Sequence, residues 1–554
     1  MIKSPPGIPV GFFPGLPQRE RARRSIACVA DAKGSWMNGA ESLVATLAAN
    51  GVEVCFTNPG TSEMHFVAAL DRIDGPRCVL GLFEGVVTGA ADGYYRMADK
   101  PAATLLHLGP GLGNGLANLH NAKKACSGIV NIVGDHATEH VRFESPLKSD
   151  LEGIATPVSH WVRTCKSSLE VAADGAQAIA ATRDGALGRI ATLALPADTA
   201  WGPGGEIARS AERAPLRAPD AEAVRACAKT LTSLRERAVL LVGAAGVGER
   251  AAPLAAAIAR KTGCRVLAEF YSPRTPGGRG RTRIERLPYA IDAAVDKLKG
   301  ADCLVLAGAT DPIGFFAYPG KPNQLKPAGC ALLTLADARD DVQAALQALS
   351  DELDAKVAAP TAATAVELDA LRRAPTLDAD LIGHALVALL PDQAIVVDEA
   401  VTSGRAFGNR FAAAAPHDWL TVMGGAIGFG LPAALGAAIG APGRPVLALE
   451  GDGSAMYTVQ ALWSIARESL PVVVIVFANR AYRILQGELK GVGATISGPK
   501  ATHMLTLDKP ALDWVALAKG HGVPAASVQT PEAFVREAQR AFASNGPYLI
   551  EALV

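Results

Sequence analysis

Asp452 and Asn479 are the residues whose types and spacing most directly imply chemistry. Each stands where an apolar run stops. Pro445–Leu449 (PVLAL) leads into Gly451-Asp452-Gly453-Ser454, and Val472–Phe477 (VVVIVF) ends just before Asn479. A strand–turn–helix–strand unit in a parallel sheet brings its two strand ends to one edge. The two residues then meet side by side, although they lie 27 positions apart. A carboxylate and an amide oxygen are hard ligands of the kind Mg²⁺ takes beside a phosphate. Gly451 and Gly453 let the backbone approach closely, and the helix N-terminus after Ser454 favours an anion. The unit predicts a diphosphate held through a metal.

Two further residues stand in chemically informative places. Glu84 is a lone acid after the apolar run Cys78–Leu82, at the start of an Ala/Gly-rich helix. There it is either a helix-start acid or a working one. His107 follows the strand Ala103–Leu106 and precedes the Gly-rich stretch Leu108–Asn114, expected as a loop. The carboxyl edge of a parallel sheet is where such folds take ligands, though a structural histidine fits equally.

These residues need strands and helices to carry them. Three α/β segments are expected, at about Trp36–Thr199, Asp220–Leu349 and Leu377–Val554. Pro/Ala-rich linkers near Trp201–Pro219 and Ser350–Thr376 separate them. Strand–helix alternation in all three predicts three doubly wound parallel-sheet domains, over residues 36–200, 220–350 and 377–554. In the middle segment, Gly243–Gly248 (GAAGVG) follows a strand but departs from GxGxxG, and reads as a structural turn.

Bulk composition narrows the partners. The 554 residues carry 54 Lys+Arg and 54 Asp+Glu, so no global field points to nucleic acid or a membrane surface. No long uncharged apolar run suggests a membrane span. The nine cysteines are scattered without CxxC and read as small buried residues of a reducing, cytoplasmic compartment. Residues 1–35, with several prolines and Arg19, Arg21, Arg23 and Arg24, read as a loosely attached arm or extension.

Taken together, NPGTSE (58–63), EGVVTGAADGY (84–94), HLGPGLGN (107–114), GGAIGFGLPAALG (424–436) and GDG…N (451–479) carry a resemblance. The chain resembles the thiamine-diphosphate-dependent 2-oxo acid decarboxylase and acetolactate synthase superfamily over nearly all of Met37–Val554. In motif it is most similar to benzoylformate decarboxylase. The resemblance implies thiamine diphosphate and Mg²⁺ as cofactors. By it, Asp452, Asn479 and the Ala481 carbonyl match the metal ligands. Thr402 and Ser454 match diphosphate-contacting positions, and Asn58, Pro59, Gly451, Gly453 and Tyr482 are expected to bind the cofactor as well. Gly425 matches the carbonyl that meets the 4′-amino group, and Ile427 the bulky residue beneath the bent cofactor. Glu84 matches the glutamate that hydrogen-bonds N1′ and so promotes loss of the thiazolium C2 proton. Thr61 and His107 match residues that face the substrate carboxylate and relay protons.

The resemblance also implies a cofactor site shared between two chains, with Glu84 of one facing the metal site of the other. A homodimer, commonly doubled to a homotetramer, is then expected. Phe315 falls where benzoylformate decarboxylase carries a second histidine, so the aromatic-acid mechanism is not carried over unchanged. The middle segment lacks the flavin-contacting pattern, and FAD is not expected. Glu488 either faces the pocket or is a solvated helix acid. The expected chemistry is addition of the cofactor ylide to the carbonyl of a 2-oxo acid, then decarboxylation. The product is an aldehyde or, after a second addition, a 2-hydroxyketone. A carboligase or lyase without obligatory decarboxylation, and a non-catalytic cofactor-binding homologue, are the alternatives.

Overall fold

A computed structural model describes residues 37–183, 187–359, 367–405, 407–494 and 498–554. The expected arm, residues 1–35, lies outside them. Three sheets with interleaved helices make up the fold. The first sheet is entirely parallel. Its strands run, in order, Arg77–Leu80, Val54–Asn58, Ala102–Leu106, Ile129–Asp135, Ile190–Pro196 and Trp161–Thr164. The second sheet orders Ala331–Ala336, Cys303–Ala307, Ala238–Val242 and Arg265–Ala268, also in parallel. Central strands such as AATLL and CLVLA are buried along their whole length, as strands covered by helices on both faces must be.

The third sheet has seven strands: Ala525–Val528, Tyr548–Leu553, Val472–Ala478, Val446–Gly451, Ala394–Glu399, His417–Thr421 and Arg274–Gly277. The last of these departs from the all-parallel expectation. It comes from the middle of the chain and pairs antiparallel with His417–Thr421. Its Pro276 and Gly277 suit an edge position and hide it from sequence reading. Arg274 anchors it through a two-pronged ion pair to the buried Asp418.

The first and third sheets share one apolar core. Its centre is the packing of helix Glu84–Ala98 on helix Gly430–Gly440. A side chain at Gly93 would collide with the Ala433 carbonyl, and one at Gly436 with the Ala90 carbonyl. The small residues of EGVVTGAADGYYRMA and GLPAALGAAIG are therefore what allow two backbones to approach this closely. The buried Arg96 guanidinium closes one side. It grips Asp92 at 2.6 Å, donates to the Thr421 carbonyl at 2.7 Å and lies over the Phe429 ring.

Two local expectations change. The stretch Leu108–Asn114 is the first two turns of helix Leu108–Lys124 rather than a loop. Glycines are needed there because a Cβ at Gly109 would strike Ser149, and one at Gly111 would meet the Glu84 carboxylate. The cysteines are not uniformly buried either: Cys78 is exposed and Cys126 half-buried, although all those described are free thiols. Gly243–Gly248 is a packed turn, with Gly243 against the Gly308 carbonyl.

Candidate active site

The strand Val446–Gly451 pairs in parallel with Val472–Ala478, and Gly451 faces Phe477 in register. Asp452 and Asn479 thus emerge from neighbouring strand ends. Asp452 is almost fully buried. Its Oδ2 accepts from the Arg480 amide at 2.6 Å and its Oδ1 from the Gly453 amide at 2.9 Å. Burial pushes its carboxyl up, and these N–H groups oppose that shift. Asn479 Oδ1 accepts from the Ala481 amide at 3.0 Å, which turns the amide oxygen toward the same edge. Arg480 between them takes a left-handed φ of 54°, reversing the chain so that Asp452 can reach it.

Helical structure follows Asp452 at once, in the short pieces Asp452–Ala455, Met456–Thr458 and Ala461–Arg467 instead of one helix. The Ser454 hydroxyl is engaged with backbone, donating to the Gly451 carbonyl at 3.1 Å. Gly453 lies against the Tyr482 ring, with no room for a side chain. Among the described residues there is no cluster of three His, Cys, Asp or Glu side chains suited to a metal. The donor set at this turn is different: one carboxylate, one amide oxygen and a backbone carbonyl. Such a set leaves coordination positions for phosphate oxygens and water, the environment in which Mg²⁺ is normally bound.

The loop Gly424–Phe429 lies on the same sheet edge and is anchored from both sides. Asn121 brackets Ala426, donating to its carbonyl at 2.8 Å and accepting from its amide at 3.2 Å. Asn118 bridges the Gly85 and Gly428 carbonyls at 2.8 and 3.0 Å. Gly425 needs its φ of 74° and has Phe315 against it. Ile427, half-buried, is held between these fixed points. Beneath the loop, Glu399 accepts from the amides of Gly428, Phe429 and Gly430 at 3.0, 3.1 and 2.9 Å.

Sequence reading missed both Glu399 and Glu450. They face each other in register on adjacent parallel strands, fully buried. A side chain at Gly430 would overlap the Glu450 carboxyl. Burial pushes Glu399 up to about 7, against the pull of its three N–H donors. Burial, with the Glu399 charge next, raises Glu450 well above the carboxylate range. The two carboxyls titrate as a pair, each holding its proton above the ordinary carboxylate range. The folded protein therefore keeps protons that the unfolded chain releases. That stability is fully present below the ordinary carboxylate pKa and is lost as pH rises through about 7. Glu450→Gln removes one acid at constant volume. Its melting temperature should fall less between pH 5 and pH 8 than that of the native chain; an unchanged pH slope contradicts the pairing.

On the first sheet, Glu84 begins helix Glu84–Ala98 and is buried. Its Oε2 accepts from Asn114 at 3.0 Å. Among the described residues, no hydrogen bond joins it to Asp452, Asn479 or the Gly424–Ile427 loop of its own chain. His107 and Thr61 follow adjacent strands, paired at Asn58 and Leu106. Thr61 opens a 3₁₀ turn, and the His107 ring packs on Gly60 so tightly that only glycine fits there. Asn58 donates to the Gly81 carbonyl at 2.7 Å, tying two strand ends together, and Pro59 is half-buried beside it. Thr402 lies in the turn after strand Ala394–Glu399.

Glu63 is the other residue that sequence reading passed over. Its Oε2 meets His107 Nδ1 at 2.9 Å and accepts from the Gly60 amide at 2.7 Å. Burial raises its carboxyl, and His107 opposes that shift. This contact orients the imidazole and leaves Nε2 for chemistry. Glu63→Ala should lower kcat by about 10-fold or more, with a smaller change in KM, because it releases the His107 imidazole from the orientation this contact fixes. Equal activity would make the contact purely structural.

Comparisons with known proteins identify the family of the chain. Residues 37–155 match the thiamine pyrophosphate enzyme N-terminal binding domain, and residues 401–552 match the C-terminal binding domain. The chain is 49% identical over 94% of its length to a Mycobacterium tuberculosis protein named for an acetolactate synthase large subunit, IlvX, covering 99% of that protein. It is 30% identical to the benzoylformate decarboxylase of Pseudomonas aeruginosa, over 91% of this chain and 96% of that one. The solved structure of a thiamine diphosphate-dependent 4-hydroxybenzoylformate decarboxylase from Rhodococcus jostii superposes with a TM-score of 0.80 at 28% identity, covering 94% of this chain and 99% of that one. The chain belongs to the thiamine-diphosphate-dependent enzymes of the acetolactate synthase and benzoylformate decarboxylase family.

Proposed function

We propose that this enzyme uses thiamine diphosphate and Mg²⁺ to act at the carbonyl of a 2-oxo acid, cleaving the bond to its carboxylate. The placement of Asp452 and Asn479 on adjacent strand ends carries this reading. Asp452, Asn479 Oδ1 and the Ala481 carbonyl would hold the metal. Gly451, Gly453, Ser454, Thr402 and Tyr482 would surround the diphosphate. Gly425 and Ile427 would support the bend of the cofactor, and Asn58 and Pro59 its pyrimidine end. Bound thiamine diphosphate would supply a carbon nucleophile and an electron sink.

The chain's own residues do the rest. Glu84 holds and returns a proton at the ring nitrogen N1′. His107, oriented by Glu63, offers Nε2 for proton transfer on the substrate side, with Thr61 beside it. By the family resemblance the sites are shared in a homodimer, doubled to a homotetramer, with Glu84 of one chain facing the metal turn of the other. Free thiols support a cytoplasmic location, and among the described residues no helix is long and apolar enough to cross a membrane.

Two product outcomes are open to this site, aldehyde release and addition to a second carbonyl. The relationship to the protein named for acetolactate synthase favours the second. The test is incubation with thiamine diphosphate, Mg²⁺ and a panel of aliphatic and aromatic 2-oxo acids, with and without acceptor aldehyde. CO₂ release with aldehyde or 2-hydroxyketone is expected. No CO₂ from any member would sink the reading, and 2-hydroxyketone made from aldehydes alone would point to a carboligase without decarboxylation.

A further inference from the structure

The chain is only 5% aromatic, yet six aromatic residues of its middle segment gather against the site. They are Phe270, Tyr271, Tyr289, Phe315, Phe316 and Tyr318. Ring centroids are 4.3 Å apart for Phe270–Tyr271, 5.6 Å for Tyr289–Phe315, 5.9 Å for Tyr271–Phe315 and 4.7 Å for Phe315–Phe316. Phe315 abuts Gly425, so this cluster forms a wall beside the anchored loop. Phe315 and Phe316 are nevertheless 42% and 53% exposed. Clustered, exposed aromatic faces next to a reaction site mark a binding surface.

The far end of the wall is polar. Tyr318 donates to Glu488 Oε2 at 2.5 Å, and Tyr289 lies beside the Tyr318 hydroxyl. Burial and the adjoining Glu488 push the Tyr318 phenol up, so it stays a hydroxyl. Glu488 projects from helix Arg483–Gly491, which starts directly after Tyr482 at the metal turn. The wall thus spans from Gly425 to the helix that follows Asn479. Glu488 is not a solvated helix acid; it is half-buried. Among the described residues, only Tyr318 donates a hydrogen bond to its carboxylate, which leaves further acceptor capacity on Glu488 unfilled.

We propose that this wall receives the substituent of the 2-oxo acid, and that Tyr318 and Glu488 select substituents ending in a hydrogen-bond donor. The inference rests on the functional reading above. Flat groups stack on the aromatic faces. A donor at their far end meets Glu488, which Tyr318 holds in place. A site built to hydrogen-bond its substrate discriminates against an analogue that leaves its polar groups unpaired.

The test uses full-length enzyme with thiamine diphosphate and Mg²⁺ and two substrates of equal size. 4-Aminophenylglyoxylate carries a donor, and 4-methylphenylglyoxylate does not. We expect kcat/KM to favour the amine by about 10-fold or more. Tyr318→Phe and Glu488→Leu should each shrink that ratio to within about threefold. A native ratio near one, or a ratio unchanged in both variants, overturns the proposal. Turnover of pyruvate with neither arylglyoxylate accepted overturns it while leaving the functional reading intact. No turnover of any 2-oxo acid overturns both.

Discussion

Glu84→Gln should lower kcat by about 100- to 10,000-fold, the usual contribution of a positioned acid–base group. Glutamine preserves size and can still accept from Asn114, so the helix start and the Gly111 contact should survive. What it loses is a carboxyl able to take and return a proton. Melting temperature should therefore move little while turnover collapses. Exchange of the cofactor C2 proton, followed by quenched-flow NMR on the loaded enzyme, reads the same step without substrate. Slow exchange with intact cofactor binding is the expected result. Unchanged exchange would remove Glu84 from this role.

The second large effect is on binding. Asp452→Ala deletes the one carboxylate of the turn proposed to hold the metal and frees the Arg480 and Gly453 amides. Even outer partners of metal ligands typically contribute 10–100-fold to affinity, so loss of the proposed direct ligand should cost more than about 100-fold. Activity should return only at high Mg²⁺, if at all, and a chelator should abolish the activity of the native enzyme. Native-like Mg²⁺ dependence in the variant would place the metal elsewhere. Because Asp452 also closes the turn through two amides, the folded state of the variant should be checked by its melting temperature.

Much of this site was legible because strand ends advertise themselves. Apolar runs that stop at Asp452, Asn479, Glu84 and His107 place those residues on sheet edges whatever the details of packing. The residues that escaped notice are those whose meaning lies in a partner. Glu63 reads as one more polar residue of NPGTSE until the pairing of Asn58 with Leu106 sets it beside His107. Glu399 and Glu450 each end an apolar strand, a signal that was present in DEA and LEG. Their significance appears only when the two strands prove adjacent and in register.

Conformation was harder to read where tertiary contacts overrode composition. The Gly-rich stretch after His107 promised a loop, yet it is helical. There glycine is dictated by Ser149 and Glu84 pressing on the helix, not by a turn. The short strand Arg274–Gly277 left the middle segment for the third sheet because Asp418 and the edge of His417–Thr421 receive it. Glu488 could be read two ways in sequence. Tyr318, 170 positions away, takes it out of solvent.

The central claim is that Asp452 and Asn479 hold a diphosphate through a divalent cation. Calorimetric titration of the enzyme with thiamine diphosphate tests it directly, in Mg²⁺ and in a chelator, with thiamine as the control. We expect thiamine diphosphate to bind at least about 100-fold more tightly with Mg²⁺ than without it, and thiamine to bind weakly in both, since the cation links the protein oxygens to the phosphates. Equal affinity with and without Mg²⁺, or equal affinity for thiamine, would contradict it.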